Sequence, residues 1–96
     1  MRPPHYEGLQ GAALDGAVYY AEITDEGVRY YQLDGTKLVP CEAPALTAED
    51  GGQLLPVEKD GAVWFPELSA EGELFWNRWV NGQQEIYSGD PRQDVS

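Results

Sequence analysis

Cations are scarce in this chain. Six Lys and Arg stand against 17 Asp and Glu in 96 residues, a net charge of −11. Contacts with phosphate groups need cations, so this balance argues against nucleic acid or an anionic membrane as a direct partner and favours a basic surface on another protein. Histidine and cysteine are scarcer still, with His5 and Cys41 alone of their kinds. A single thiol forms no internal disulfide, and one thiol with one histidine assembles no zinc cluster. They are also the only Cys/His combination available for nucleophilic catalysis, one at a strand end and the other beside two prolines. No phosphate loop, dinucleotide fingerprint or metal-ligand spacing occurs. A carboxylate dyad of Glu22 and Glu67 has the chemistry for acid–base work, but a duplication accounts for that pair more simply. The expectation is a protein that is not an enzyme and uses no cofactor or metal.

Long apolar runs are missing too. None approaches the roughly 18 residues of a membrane span, and Met1-Arg2-Pro3-Pro4-His5-Tyr6 lacks the apolar core of a signal peptide, so the expected location is cytoplasmic.

What the chain does have is a repeat. The stretch from Asp15 to Gly27 recurs 45 residues on as Asp60 to Gly72, with seven of thirteen positions identical. The likeness continues as Tyr30-Tyr31 aligns with Phe75-Trp76, and each copy then reaches a turn dipeptide, Asp34-Gly35 or Asn81-Gly82. Halves of this size bury too little apolar surface to fold alone, so the expectation is one domain over 1–96 with a shared core. Repeat 1 covers about 9–41 and repeat 2 about 53–87. An acidic linker, 42–52, separates them, and mobile tails, 1–8 and 88–96, frame them.

Ala17–Thr24 and Ala62–Ser69 are short and rich in aromatic and β-branched residues, which reads as strand. Pro66 places the second near a sheet edge or turns its missing N–H away from the ladder. Thr24-Asp25-Glu26-Gly27 and Ser69-Ala70-Glu71-Gly72 suit three-residue hairpin loops ending in a glycine at positive φ. The return strands are then Val28–Leu33 and Glu73–Val80, followed across primed turns by Thr36–Cys41 and Gln83–Tyr87. Further strands precede each copy at Leu9–Leu14 and Gln53–Glu58. The predicted fold is all-β: two duplicated three- to four-stranded antiparallel meanders packed as a small sandwich or barrel with pseudo-twofold symmetry. An α+β fold with one helical turn capped by Thr47 in the linker is the alternative.

Strand phase then assigns faces. Ala17, Tyr19, Ala21 and Ile23, with Ala62, Trp64, Pro66 and Leu68, form an apolar set. A three-residue loop adds Arg29, Tyr31 and Leu33 in one copy and Leu74, Trp76, Arg78 and Val80 in the other, the arginines at the rim. The opposite face carries Val18, Tyr20, Glu22, Tyr30 and Gln32, then Val63, Phe65, Glu67, Glu73, Phe75, Asn77 and Trp79. Outward rings need a cover. The linker, the tails, the extra strands or a second copy in a homodimer would supply one, and so would a different partner.

Between Glu42 and Glu73 eight carboxylates accompany a single cation, Lys59. Aromatic anchors ringed by charge are the composition of a specific interface. The sequence therefore nominates Tyr20, Glu22, Tyr30, Phe65, Glu67, Glu73, Phe75 and Trp79 as a partner-binding face. The function it suggests is a small acidic protein-binding module that occupies a basic surface, such as that of a nucleic-acid-binding protein, by nucleic-acid mimicry. In size and charge it is analogous to small phage inhibitors and nuclease immunity proteins. An aromatic platform for a sugar or another flat ligand, and a structural homo-oligomeric component, are the competing readings.

Overall fold

Four two-residue turns that contain a glycine set the frame. Asp15-Gly16, Asp60-Gly61 and Asn81-Gly82 each hold both residues at positive φ. Asp and Asn tolerate that conformation and Gly adopts it freely, giving turns whose twist matches the strands they join. The fourth is Gly35-Thr36, with only the glycine at positive φ (63°), because Asp34 pairs with Lys37. The expected turn at Asp34-Gly35 thus lies one residue further on.

The computed structural model describes residues 3, 6 and 8–93. Ten strands follow in order: β1 (Gln10–Leu14), β2 (Ala17–Thr24), β3 (Gly27–Asp34), β4 (Lys37–Cys41), β5 (Leu46–Thr47), β6 (Gln53–Leu54), β7 (Val57–Lys59), β8 (Ala62–Leu68), β9 (Leu74–Val80) and β10 (Gln83–Ile86). Among the described residues there is no helix. The linker, for which the alternative reading has a helical turn, instead holds a small hairpin. Leu46–Thr47 pairs with Gln53–Leu54, and the Ala48 amide donates to the Gly52 carbonyl at 2.8 Å. Leu55-Pro56 then interrupts the strand expected over Gln53–Glu58.

The fold is all-β, an antiparallel sheet curled into a half-barrel in the order β4-β3-β2-β1-β9-β8-β7, with β10 also on β9. The halves join where Gln10 and Gly11 of β1 lie opposite Val80 and Trp79 of β9. In the repeat β1 corresponds to β7 and β3 to β9, so the strands at the join are not equivalent. A two-fold axis through that join would require equivalent ones.

The hairpin loops of the two copies differ by one residue. In the second, the Ser69 amide donates to the Glu73 carbonyl at 2.8 Å around three loop residues, and Leu68 pairs with Leu74, as the loop chemistry predicts. In the first, Thr24 pairs with Gly27 around Asp25 and Glu26 alone, and Ile23 pairs with Val28. A one-residue shift turns every side chain of the return strand over. Val28, Tyr30 and Gln32, rather than Arg29, Tyr31 and Leu33, therefore share a face with Tyr19 and Ala21. This corrects the predicted core, and burial gives the reason. The shorter loop brings Val28 and Tyr30 against the buried cluster and leaves the Arg29 side chain mostly in water.

That cluster comprises Ala12, Leu14, Ala21, Leu46, Val63 and Phe65. Val63 and Phe65 come from the face expected to point outward. Phe65 is fully buried and meets Tyr30 edge to face at 6.3 Å. Burial of such a ring contributes about 1.5–3 kcal/mol. The other face of β8 and β9 is covered as well: Trp76 is buried with the Arg92 guanidinium 5.2 Å over its ring, and Trp64 packs edge to face on Tyr87 at 5.0 Å. Of the tails, Pro3 and Pro91 are buried, while residues 1, 2, 4, 5, 7 and 94–96, and with them the reading of His5, lie outside the described residues.

Polar groups tie the halves together at the join. The Gln10 side-chain oxygen accepts the Val63 amide at 2.6 Å and the Arg78 guanidinium at 2.7 Å. Arg78 also reaches Glu85 at 2.6 Å and lies 5.1 Å over the Trp64 ring. Asn77, fully buried, donates to the Phe65 carbonyl and accepts from Gln84.

Candidate functional site

The eight nominated residues do not form one exposed face. Tyr20 is 1% exposed, lies across Gly11, and meets Tyr6 edge to face at 4.8 Å. A Cβ at Gly11 would fall 2.7 Å from the Tyr20 ring, so only glycine admits this packing. Burial pushes the Tyr20 phenol up to about 12, with Tyr6 adding to the rise. Phe65 is interior. These two rings are core residues, which corrects the expectation that they anchor a partner.

Tyr30 and Glu22 are half-buried in the first copy. Burial and the Glu58 carboxylate raise the Tyr30 phenol, and Glu22 accepts a hydrogen bond from the Tyr31 hydroxyl at 3.3 Å. Trp79 is half-buried opposite Gly11. What remains accessible gathers on the β8–β9 hairpin. Glu67 and Phe75 face each other across the ladder, half-buried, while Glu73 and Glu71 are exposed at the loop. On the opposite face Leu68 and Leu74 form a cross-strand pair, 41% and 37% exposed.

Beside this hairpin lies a cavity of about 250 Å³ lined by Ala13, Leu14, Asp15, Gly16, Leu46, Glu67 and Leu68. The β1–β2 turn supplies Asp15, β8 supplies Glu67, and Leu14 and Leu46, both buried, give apolar walls. Burial pushes the Glu67 carboxyl up, against the Asn77 hydrogen bond that lowers it. A carboxylate so placed is short of solvation, and a cation beside it would restore the charged form. The cavity thus combines two acidic residues with an apolar wall.

A second and larger groove, about 590 Å³, runs along Val28, Arg29, Tyr30, Tyr31, Pro40, Cys41, Glu42 and Ala43. Tyr30 and Tyr31 are neighbours on one strand and point to opposite faces, so they offer no common stacking surface. The Cys41 thiol is raised by burial and by Glu42, the opposite of the activation a nucleophile needs. Among the described residues no group of three His, Cys, Asp or Glu is placed to hold a metal ion, and no helix is long and apolar enough to cross a membrane.

Of the residues nominated from strand phase only Glu67 lines this cavity, and Asp15, Leu46 and Leu68 were not nominated. Their separation in the chain carries no periodic signal, and only the curl of the sheet brings turn, linker and hairpin together. Comparison of the chain with protein-family models, with curated proteins and with solved structures finds no match.

Proposed function

We propose that this chain is an acidic protein-binding module that docks on a basic surface of another protein, with the Asp15/Glu67 pocket receiving a Lys or Arg side chain. The observation that carries the reading is the pocket itself, two carboxylates over leucine walls beside an acidic hairpin. The distribution of the chain's own cations supports it. Arg29, Lys59, Arg78 and Arg92 lie within 4.0 Å of Glu26, Asp60, Glu85 and Asp90 respectively. Asp15, Glu71 and Glu73 have no ion pair among the described residues.

Exposed ion pairs contribute about 0–1 kcal/mol each, so Glu71 and Glu73 would act chiefly by steering a cationic partner inward. A partly desolvated cation held by two carboxylates contributes more, about 1.5–3 kcal/mol for a hydrogen bond to a charged group. On a nucleic-acid-binding partner, the same contact would compete with phosphate for the basic surface. The duplicated meander belongs to this reading as the origin of the scaffold: one acidic hairpin unit, copied, with the pocket formed where the start of the first copy meets the hairpin of the second. The aromatic-platform alternative has no observation in its favour, because Tyr20 and Phe65 are interior and Tyr30 meets Phe65 at 87°.

The test is calorimetric titration of the protein with an arginine-rich peptide at low salt, comparing the wild type with a variant carrying both Asp15→Asn and Glu67→Gln. Binding should weaken about tenfold or more in the variant and fall steeply with added salt. A variant that keeps wild-type affinity while folded would overturn the assignment.

A further inference from the structure

An open half-barrel leaves strand edges, and edges are where another chain can add a strand. In this molecule the edges are not equally protected. On a two-residue hairpin the flanking residues bond each other, so backbone groups alternate inward and outward from there. On β4 the outward positions are Leu38 and Pro40, and Pro40 has no N–H to offer. On β7 the outward residue is Glu58, preceded at the same parity by Pro56. Past Trp64, where β7 ends, the outward residues of β8 are Pro66 and Leu68. Each of these edges thus carries a proline at an outward position.

The strand β10 carries none. Its residues Gln83, Gln84, Glu85 and Ile86 are all exposed, and Ile86 is 62% exposed. The Tyr87 amide bonds the Trp76 carbonyl at 2.8 Å, which fixes the alternation and leaves the backbone groups of Gln84 and Ile86 facing outward. The strand is also electrically quiet. Its one charge, Glu85, is matched by the Arg78 guanidinium at 2.6 Å, in a chain whose net charge is −11.

We infer that β10 is a self-association edge, on which a second copy of this chain adds its own β10 antiparallel to the first. Charge selects that occupant. Two copies repel over most of their surfaces, whereas on this edge the one carboxylate that meets its like across the two-fold axis, Glu85, is already neutralised by its own Arg78. An antiparallel pair about a two-fold axis is self-complementary, so one exposed strand suffices to make a closed dimer. With Gln84 opposite Ile86 of the partner, both outward positions bond and no proline intervenes. Four residues a side bury much less than the roughly 1,200 Å² of a stable interface, so the dimer is weak and concentration-dependent.

Its salt response has the opposite sign to that of the basic-partner site: screening relieves repulsion between the copies and strengthens the dimer. The failure of one reading is therefore distinguishable from the failure of the other. The experiment is sedimentation equilibrium of the full chain from about 0.01 to 1 mM protein, at about 0.05 and 0.5 M salt. The expected result is a mass that rises toward the dimer with concentration, and more so at the higher salt. Ile86→Pro removes one outward N–H and should leave a monomer throughout. Ile86→Lys keeps every backbone group and should weaken association about tenfold, which covers the case of a proline variant that does not fold. A monomer under all conditions overturns the inference. So does a dimer that a folded Ile86→Pro or Ile86→Lys variant leaves unchanged.

Discussion

The two hairpins begin from nearly the same sequence and end with opposite faces. From Asp15 and from Asp60 the chain runs through a type I′ turn, an eight- or seven-residue strand, and a loop closed by glycine. The first loop then turns with two residues and the second with three. As a result Tyr30 faces the core, while its counterpart Phe75 sits with Glu67 at the edge of the candidate site. Loop chemistry alone does not make this choice, since Thr24-Asp25-Glu26-Gly27 and Ser69-Ala70-Glu71-Gly72 are both competent for three residues. Burial makes it: in the first copy the longer loop would turn Arg29 inward, and in the second it places Trp76 opposite Pro66 under the C-terminal segment.

The sharpest way to break this contrast is to equalise the loops. Deleting Ala70 gives the second copy the shorter loop and would turn Trp76 away from its cover. The expected loss of stability is about 4 kcal/mol, the scale of removing a buried aromatic, measured by urea unfolding. A loss below about 1 kcal/mol would show that the register is held by something other than loop length.

Next in size is the contrast between the arginines of the two return strands. Arg78 serves Gln10, Glu85 and Trp64 at once, so Arg78→Ala should cost about 1.5–3 kcal/mol. Arg29 is exposed beside Glu26 at 3.8 Å, and Arg29→Ala should cost less than about 0.5 kcal/mol. Equal losses would mean that the join at Gln10 contributes nothing to stability.

Smallest is the pH effect of Glu67. Its carboxyl is raised in the folded state, so the folded protein holds that proton more tightly than the unfolded chain does. Ionised Glu67 therefore costs stability above its folded pKa, and the cost disappears as pH falls below the ordinary carboxylate value. Glu67→Gln should raise the melting temperature slightly at neutral pH, and the difference should close as the pH is lowered through the carboxylate range. A difference that widens on acidification would reverse the sign of the burial argument.

Strand positions were legible because Asp-Gly and Asn-Gly turns and aromatic pairs bracket them; Ala17–Thr24 agrees in full and most other strands within a residue or two. The missing N–H of Pro66 does face away from β9. Which side of a strand is covered was harder to read. Strand phase separates Tyr19 from Tyr20 but is silent on which face meets the protein, and here both do, because Tyr6 covers one face and β8 crosses the other. The pocket was hardest, since it joins a turn, a linker and a hairpin through tertiary curl alone.

The two hairpins are both acidic, with Glu22, Asp25 and Glu26 on one and Glu67, Glu71 and Glu73 on the other, but only the second borders the leucine-walled pocket. Backbone NMR with titration of an arginine-rich peptide therefore tests the central claim most directly. The expected shifts centre on Asp15, Leu46, Glu67 and Leu68, extend to Glu71 and Glu73, and spare Asp25 and Glu26. Equal shifts on both hairpins, or shifts confined to Glu42–Gly52, would show that charge alone directs binding and that the pocket has no part in it.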